Sequence, residues 1–355
     1  MSTNTLSFVY QSQPTRVVFG RGASDTVDSE AERLRLRRVL MLSTPEQTGL
    51  AQKVSDRLGA RSAGVFSGAQ MHTPLNVTQA ALEQVKSLDV DGVVSVGGGS
   101  TTGLGKAIAL RTDLPQIVIP TTYAGSEMTP LIGETVDGVK RTLRDPKVLP
   151  EVVLYDVDLT LSLPLGPTAA SALNAIAHAA EALYAPDGNP VVSLMAEEGV
   201  RALVEALPRL VEDERDLQAR SAALYGAWLC ACCLGACTMG LHHKLCHTLG
   251  GLFDLPHAQM HAVLLPHALA YNAPAIPDAL QRLARATGAA DPLVALRGLS
   301  ALCGLPSSLR ELGMPEAGIE QAVQLALANP YRNPRPVEGP ALRELLQKAW
   351  SGAPA

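Results

Sequence analysis

The first 158 residues of the chain alternate between short apolar runs and segments with helical spacing. Helix-length segments, such as 77–88 and 102–110, separate several of these runs. Parallel strands joined by crossover helices give this pattern, because both faces of such a sheet are covered and its strands lack polar alternation. The pattern predicts a Rossmann-like α/β domain with a parallel sheet over residues 1–160. The six predicted strands are 17–19, 39–42, 64–66, 93–96, 116–119 and 152–155.

The pattern changes after the Pro- and Gly-containing segment 163–167. Long Ala- and Leu-rich stretches with helical spacing follow, and runs of β-branched residues almost disappear. Proline disfavours helix in the residue before it, so these prolines mark a boundary. The sequence predicts a second, all-helical domain over residues 161–355. Segment 222–241 carries no charge and has the length of a membrane span, but its Ala, Gly and Cys content favours a buried helix.

The composition is that of a compact enzyme-like chain. Of the 355 residues, 18% are charged, and the formal net charge is −5. This charge, with one short basic cluster at 33–38, argues against nucleic acid as a partner and favours a small molecule. Five of the six cysteines lie within 230–246, where reduced core residues are expected. The N-terminus lacks a basic segment followed by an apolar run, which predicts a cytoplasmic protein with no membrane partner.

A glycine-rich turn follows the predicted strand 93–96 and precedes a predicted helix. Backbone N–H groups at such a turn can approach a phosphate closely, and the helix N-terminus adds a partial positive charge. The turn lacks the G-x-G-x-x-G spacing, so a tight turn without a ligand is the alternative interpretation. The residues predicted to bind the pyrophosphate of a dinucleotide are Gly97, Gly98, Gly99, Ser100 and Thr101.

Two more strand ends support a dinucleotide site. The strand at 116–119 leads into a polar segment, and the strand at 39–42 ends in two hydroxyl residues. No Asp or Glu stands at the second of these ends to bind a ribose 2′-hydroxyl and reject a 2′-phosphate, so weak discrimination between NADH and NADPH is expected. The predicted cofactor contacts of the two segments are Thr121, Thr122, Ser126, Ser43 and Thr44.

Six of the eight histidines lie between residues 240 and 272, in otherwise apolar surroundings. A buried imidazole needs a hydrogen-bond partner, a ligand or a metal, so this density favours a functional site over scattered core histidines. The turns needed to bring His243 and His257 together are predicted at Gly250, Gly251 and Pro256. The six are His242, His243, His247, His257, His261 and His267.

A second polar group is expected on the predicted helix within 168–185. Asn174 and His178 are four residues apart and therefore share one face of this helix, with Ser171 and Glu181 nearby. We expect this face to meet the histidine segment. The alternative for Asn174 is a buried amide that backbone groups satisfy.

Together, the motifs of this chain resemble the iron-containing alcohol dehydrogenase and dehydroquinate synthase-like superfamily, and within it most closely the maleylacetate reductase branch. The resemblance covers nearly the whole chain, and it implies a dehydroquinate synthase-like fold and a homodimer. Its motifs are G-G-G-S-T-T-G-L-G-K at 97–106, P-T-T-Y-A-G-S-E-M-T-P at 120–130, Lys140, N-A-I-A-H-A-A-E-A-L-Y at 174–184, H-H-K-L-C-H-T-L-G-G at 242–251, P-H-A-x-x-H-A-V-L-L-P-H from Pro256, and N-P-R-P at 333–336.

The resemblance also implies a metal site that this sequence has altered. Metal-dependent members hold the ion with an Asp, a His four residues later, and two further histidines, which fall on Asn174, His178, His243 and His257 here. The Asp has become Asn174. An amide oxygen is a neutral and weaker ligand than a carboxylate, so the set loses its only anion. No metal is expected.

The reaction that the resemblance implies is reduction of the C=C bond of maleylacetate to 3-oxoadipate by NADH or NADPH, in the degradation of aromatic or chloroaromatic compounds. Hydride would add to the alkene carbon β to the ketone, so the enolate needs donors and the α-carbon needs a proton. The predicted catalytic residues are His243 and His257, with His178 and His247 in support, and Lys244 beside them.

The two carboxylates of this substrate need anchors. Lys244 is the first candidate, and Arg332 or Arg335 in the Pro-rich loop is the second. Lys140 matches a family lysine near the nicotinamide. The predicted substrate contacts are Asn174, His178, His242, His243, Lys244, His257, Tyr123 and Arg332.

Two other functions remain compatible with the sequence. The first is a metal-dependent alcohol or polyol dehydrogenase that binds iron or zinc and in which Asn174 still serves as a ligand. The second is a non-catalytic nucleotide-binding relative, against which the retained histidines and Lys244 count. Bound metal in the purified protein would favour the first, and dinucleotide binding without turnover would favour the second.

Overall fold

The computed structural model describes residues 7–136, 139–328 and 331–355, and all of their side chains except those of 136–141. These residues form two compact units. The first, called the α/β unit below, comprises Gln13–Pro164 and Arg215–Leu224. The second, the helical unit, comprises Leu165–Glu214 and Tyr225–Ala355 together with residues 7–12. Segments 7–12 and 215–224 therefore depart from a single division near residue 160.

The α/β unit contains a six-stranded sheet in which all paired strands are parallel. Each of the six predicted apolar runs lies in one of these strands, so the parallel α/β prediction is confirmed. The four inner strands β8, β5, β4 and β2 are fully buried, as continuous apolar runs require. In the spatial order β1-β8-β5-β4-β2-β3, the strands are β1 (Arg16–Gly20), β8 (Val152–Asp156), β5 (Gln116–Pro120), β4 (Gly92–Gly97), β2 (Val39–Leu42) and β3 (Ser62–Phe66).

Sequence reasoning missed an antiparallel hairpin, β6 (Leu131–Val136) and β7 (Val139–Arg144). The sequence signal was present, because Asp137-Gly138 separates the two strands and this dipeptide is a strong hairpin signal. Those two residues themselves lie outside the described part of the chain. The hairpin matters for the candidate cofactor site because it begins directly after the polar segment that follows β5.

Helices cover the sheet in the α/β unit and make up the helical unit. Helix α5 is central in the helical unit, where every residue from Thr168 to Ala182 is buried. Its many alanines permit the close packing against α6 and α9. The helices are α1 (Val27–Arg33), α2 (Thr48–Arg57), α3 (Leu75–Ser87), α4 (Gly99–Thr112), α5 (Leu165–Ala182), α6 (Pro190–Glu212), α7 (Leu217–Ala236), α8 (Leu241–Phe253), α9 (His257–Asn272), α10 (Pro277–Thr287), α11 (Pro292–Leu302), α12 (Gly318–Ala328) and α13 (Gly339–Ser351).

The uncharged segment 222–241 includes most of α7 and has the length of a membrane span. Among the described residues, no single helix is both long and apolar enough to cross a bilayer. Helices α7 and α8 pass that test only as a pair, by length and composition, and they are bent by 93° relative to each other. Several residues of α7, including Cys230 and Cys233, are completely buried.

Candidate active site

The predicted dinucleotide contacts gather at the carboxyl ends of three neighbouring strands. Gly97 ends β4, Gly98 precedes α4, and Gly99 begins that helix. Thr121 follows β5, and Ser43 follows β2. Because the chain moves outward from β2 to β3 and then returns to β4 on the other side, the sheet order reverses between β2 and β4. This reversal is where open α/β sheets bind ligands.

Gly97 allows no side chain. Its φ is +149°, and an added Cβ would lie 2.5 Å from Thr101 Oγ1 and 2.6 Å from Gln47 Oε1. Gln47 Nε2 in turn donates to Thr121 Oγ1 at 3.0 Å, so the three strand ends are joined by one polar network. Gln47 was not predicted, because nothing in its own segment marks it as a neighbour of the glycine turn.

A buried lysine fixes the segment that follows β5. The Lys106 side chain in α4 is completely buried, and its ammonium donates to the Ser126, Thr129 and Leu131 carbonyls at 2.6–2.7 Å. Burial lowers the pKa of Lys106 to about 7, and the nearby Glu127 carboxylate opposes this shift. The hydrogen bonds hold Ser126, a predicted cofactor contact, to the helix that begins with the glycine turn. Lys106 is a second residue that sequence reasoning missed.

The structure describes the side chain of Tyr123 but not that of Lys140. Only 1% of Tyr123 is exposed, within the α/β unit, and burial raises the pKa of its phenol against a lowering effect of Arg220. Its predicted contact with substrate stays a prediction. The predicted role of Lys140 stays a prediction, because its side chain lies outside the described residues.

Three helices of the helical unit bring the predicted histidines together. Asn174 and His178 lie on α5, and His257 begins α9. In α8, Leu241, Leu245 and Leu249 pack into the core, so residues two positions further on face another way. Those residues include His243 and His247. The turn to α9 is made by Asp254, with φ +51°, and by Pro256, whereas Gly250 and Gly251 lie inside α8 and make no turn.

Five imidazole rings form the centre of the site, called the histidine cluster below. The ring centroids are 5.1 Å apart for His178 and His243, 4.9 Å for His242 and His261, and 4.4 Å for His257 and His261. His247 lies at the edge, 6.4 Å from His243, and is exposed, as is His257. His267 makes none of these ring contacts and lies further along α9. The histidine cluster consists of His178, His242, His243, His257 and His261.

Glu181 joins α5 to the start of α8. Its carboxylate accepts hydrogen bonds from the Gly240 N–H at 2.9 Å and the His242 N–H at 2.8 Å. It also pairs with His243 Nδ1 at 2.7 Å. Burial alone would raise the pKa of Glu181, but the hydrogen bond with His243 and the electrostatic effects of His243 and His242 lower it to about 2. Sequence reasoning placed Glu181 on the right helix face and assigned it no role.

Burial keeps most of the cluster neutral. Desolvation, followed by the neighbouring imidazoles, lowers the pKa of His178 and His261 well below the ordinary range and that of His242 to about 3. His242 is completely buried, and its Nε2 lies 3.0 Å from His261 Nδ1. The direct substrate contact predicted for His242 stays a prediction, since its Nδ1 has no partner within the described residues.

Several buried polar atoms of the site have no hydrogen-bond partner within the described part of the chain. Native proteins rarely leave such atoms unpaired, and each one indicates a missing ligand, ion or water. They belong to residues of α5, α8 and α9. The atoms are Asn174 Oδ1, His178 Nδ1, His242 Nδ1, His243 Nε2 and His261 Nε2.

The donor set lacks the anionic ligand of the metal site that the family resemblance implies. An amide oxygen from Asn174 and three imidazoles offer no negative charge to a divalent ion. Within the described residues, the one group of three His, Cys, Asp or Glu donors lying within 4.8 Å of one another is His242, Cys246 and His261. The expected ligands His178, His243 and His257 do not form such a group.

Side-chain contacts hold the Pro-rich loop, which carries Arg332 and Arg335, the second candidates for a carboxylate anchor. Asn333 exchanges two amide hydrogen bonds with Asn272, at 2.7 and 3.1 Å. Arg335 stacks on the Tyr271 ring at 4.4 Å and donates to its carbonyl, so it fastens the loop to α9. Arg332 is exposed, whereas Lys244 is partly buried, with its ammonium 5.6 Å from the centre of the Tyr331 ring.

The fold and this site define a class of dehydrogenases. Family models described as iron-containing alcohol dehydrogenase match residues 14–157, and those described as the C-terminal part of the Fe-containing alcohol dehydrogenase family match residues 168–350. The chain belongs to the iron-containing alcohol dehydrogenase family, and it is an oxidoreductase enzyme.

Several proteins that are similar to this chain along nearly its whole length are maleylacetate reductases. The chain is 58% identical to the maleylacetate reductase of Rhizobium sp. strain MTP-10005, and the match covers 98% of each chain. It is 54% identical to the maleylacetate reductase of Sphingobium indicum, over 98% of this chain and 99% of the relative. The crystal structure of maleylacetate reductase from Agrobacterium tumefaciens superposes with a TM-score of 0.96 at 56% identity, over 99% of this chain and all of that one.

The glycine turn gives a first testable prediction. Gly97→Ala should abolish or strongly weaken dinucleotide binding, because the added methyl group forces Thr101 or Gln47 to move and φ +149° is strained for alanine. Titration of NADH binding by fluorescence measures the effect. Gly49→Ala in α2 is the matched control, since no heavy atom lies within 4 Å of its added Cβ, and its affinity should equal that of the wild type. Unchanged affinity in Gly97→Ala would contradict the placement of the pyrophosphate.

His267 gives a prediction about stability. Burial, followed by the charges of Arg297 and Lys348, lowers its pKa from 6.5 to about 4. The unfolded chain therefore binds a proton that the folded chain excludes, and stability present above pH 6.5 is lost as the pH falls toward 4. Relative to His267→Gln, the wild type should lose up to about 3 kcal/mol over this range. Urea unfolding of both proteins across the range measures the difference, and parallel stability curves would contradict the assignment.

Proposed function

We propose that this enzyme reduces the C=C bond of maleylacetate with NADH or NADPH, giving 3-oxoadipate in the breakdown of aromatic or chloroaromatic compounds. The observation that carries the proposal is the similarity, along nearly the whole chain, to reductases of this substrate. The histidine cluster supports it independently. Neutral imidazoles beside an ionised carboxylate suit a reaction that needs hydrogen-bond donors and one mobile proton.

The reaction divides into two steps. A dinucleotide held at the glycine turn of Gly97, Gly98 and Gly99 would supply a hydride, which would form a C–H bond at the alkene carbon β to the ketone. The π electrons of the alkene would move toward the ketone oxygen and give an enolate. A proton would then add to the α-carbon as the C=O bond reforms. Because the conjugated ketone accepts the electrons, the substrate itself provides the electron sink.

His243 is the group best arranged to deliver this proton. Glu181 engages its Nδ1 and so orients the ring, while its Nε2 has no protein partner within the described residues. Nε2 is therefore the atom of His243 that remains to meet a ligand. His257 at the exposed end of the cluster is the second candidate, with His178 and His247 in support.

The substrate carboxylates require cationic anchors at the margin of the cluster. Lys244 follows His243 in α8 and is the first candidate, and Arg332 on the fixed loop is the second. The unpartnered Asn174 Oδ1 is on the face of α5 that carries His178, where its amide can orient the substrate. Bidentate or paired charge contacts of this kind hold dicarboxylates in one orientation.

The cofactor is proposed to bind in the α/β unit. Its pyrophosphate lies on the glycine turn at the start of α4, and its remaining contacts come from the segments after β5 and β2.

We also propose that the enzyme works without a metal, because the donor set at Asn174 is neutral. We propose a cytoplasmic location, and from the family resemblance a homodimer, with the small dicarboxylate as partner and with neither nucleic acid nor membrane.

The proposal is tested by following NADH oxidation with freshly generated maleylacetate. Enzyme treated with EDTA and untreated enzyme should turn over equally fast, because no step depends on a metal. NADPH is assayed in parallel and should also be accepted. Failure with maleylacetate would overturn the function. Activity that EDTA removes and iron or zinc restores would instead support a metal-dependent alcohol or polyol dehydrogenase.

A further inference from the structure

His261 belongs to the histidine cluster although the family metal pattern gives it no part. It lies four residues after His257 on α9 and is completely buried. Its ring centroid is 5.1 Å from that of His243 and 6.4 Å from that of His178. The ring is therefore in contact with every histidine of the proposed reaction centre except the peripheral His247.

The two nitrogens of His261 have different surroundings. Nδ1 lies 3.0 Å from His242 Nε2, which is a hydrogen bond. Nε2 has no partner within the described part of the chain, although it is buried. A buried nitrogen without a partner, in a group of similarly unpaired atoms, points to a ligand that completes its hydrogen bond.

The pairing with His242 decides which nitrogen of His261 carries a hydrogen. A neutral imidazole has one N–H, so either His242 Nε2 or His261 Nδ1 is the donor. If His261 Nδ1 were the donor, His242 Nδ1 would carry a buried N–H without a partner. If His242 Nε2 is the donor instead, the buried N–H without a protein partner is on His261 Nε2. The arrangement in which His242 Nε2–H donates to His261 Nδ1 therefore leaves His261 Nε2–H to donate to a ligand.

We propose that His261 is a further substrate-contacting residue, whose Nε2–H donates to the ketone oxygen where the enolate charge develops, and that His242 is its positioning residue. The inference rests on the proposed function and adds to it a fixed, neutral donor. Such a preorganised donor stabilises the charge at that oxygen without any rearrangement during the reaction. His243 is then free to supply the proton to carbon.

The buried environment supports this arrangement. Neither ring has a carboxylate partner within the described residues, in contrast to His243 with Glu181. Both rings are completely buried, an environment that disfavours a charged imidazole. Cys246 Sγ lies 3.7 Å from His242 Nε2, and burial raises the pKa of this thiol, so it remains a neutral neighbour of the pair.

The test compares kcat and KM for maleylacetate in four variants. His261→Met removes the donor and should lower kcat about 10²- to 10³-fold, the usual effect of losing one oxyanion donor, with little change in KM. His261→Gln keeps an N–H group at a similar position and should recover part of this loss. His242→Met should lower kcat by a smaller factor, and His242→Gln, which keeps the donor to His261, should restore it.

The control is His267→Met, which removes another buried histidine of α9 outside the histidine cluster and should keep the wild-type kcat. NADH affinity and thermal stability of each variant separate an effect on the reaction from a folding defect. If His261→Met does not fold, the comparison of His242→Met with His242→Gln decides the question.

The outcomes separate the two proposals. If the wild type turns over maleylacetate and the kcat of His261→Met is within about twofold of the wild-type value, the role of His261 is overturned. The proposed function then remains intact. Equal kcat values in His242→Met and the wild type would overturn the positioning role. Absence of wild-type turnover with maleylacetate would overturn the proposed function and, with it, this assignment.

Discussion

The site depends on one buried carboxylate. Glu181 in α5 accepts backbone hydrogen bonds from Gly240 and His242 at the start of α8, where the N–H groups have no partner inside the helix. The positive end of the helix dipole stabilises its charge. The same carboxylate engages His243 Nδ1. The interaction that places α8 against α5 therefore also orients the ring that we assign to proton transfer.

This arrangement constrains the rest of the cluster. Desolvation and the neighbouring imidazoles lower the pKa of His178, His242 and His261, whereas the Glu181 carboxylate opposes this shift at His242. A ligand that hydrogen-bonds to the unpaired nitrogens of these rings would stabilise them. Each such atom costs stability in the folded protein. The loss is offset by the well-packed apolar side of α8, where Leu241, Leu245 and Leu249 are completely buried. Helix α8 thus carries its stabilising leucines on one face and His243 and His247 on another. This is possible because neighbouring members of each set are four residues apart.

The sequence was sufficient for the architecture and for part of the site. Buried parallel strands have a distinctive apolar pattern, and the glycine turn and the histidine segment are visible as local motifs. The missed residues act through contacts distant in the chain. Gln47 meets Gly97 only because β2 and β4 are neighbours, and Lys106 binds carbonyls about twenty residues away. The pairing of His242 with His261 depends on the angle between two helices, which no periodicity encodes.

The central claim is that the Glu181 carboxylate prepares His243 for the reaction, and Glu181→Gln tests it most directly. The amide keeps the shape and one acceptor oxygen but removes the negative charge. We expect kcat for maleylacetate to fall by roughly 10²-fold or more, with KM changed little, because the orienting partner of a working histidine is lost. Glu198→Gln, which removes a carboxylate from an ion pair with Arg201 on α6, is the control and should keep wild-type kinetics. A folded Glu181→Gln enzyme with a kcat within about threefold of the wild type would contradict the account.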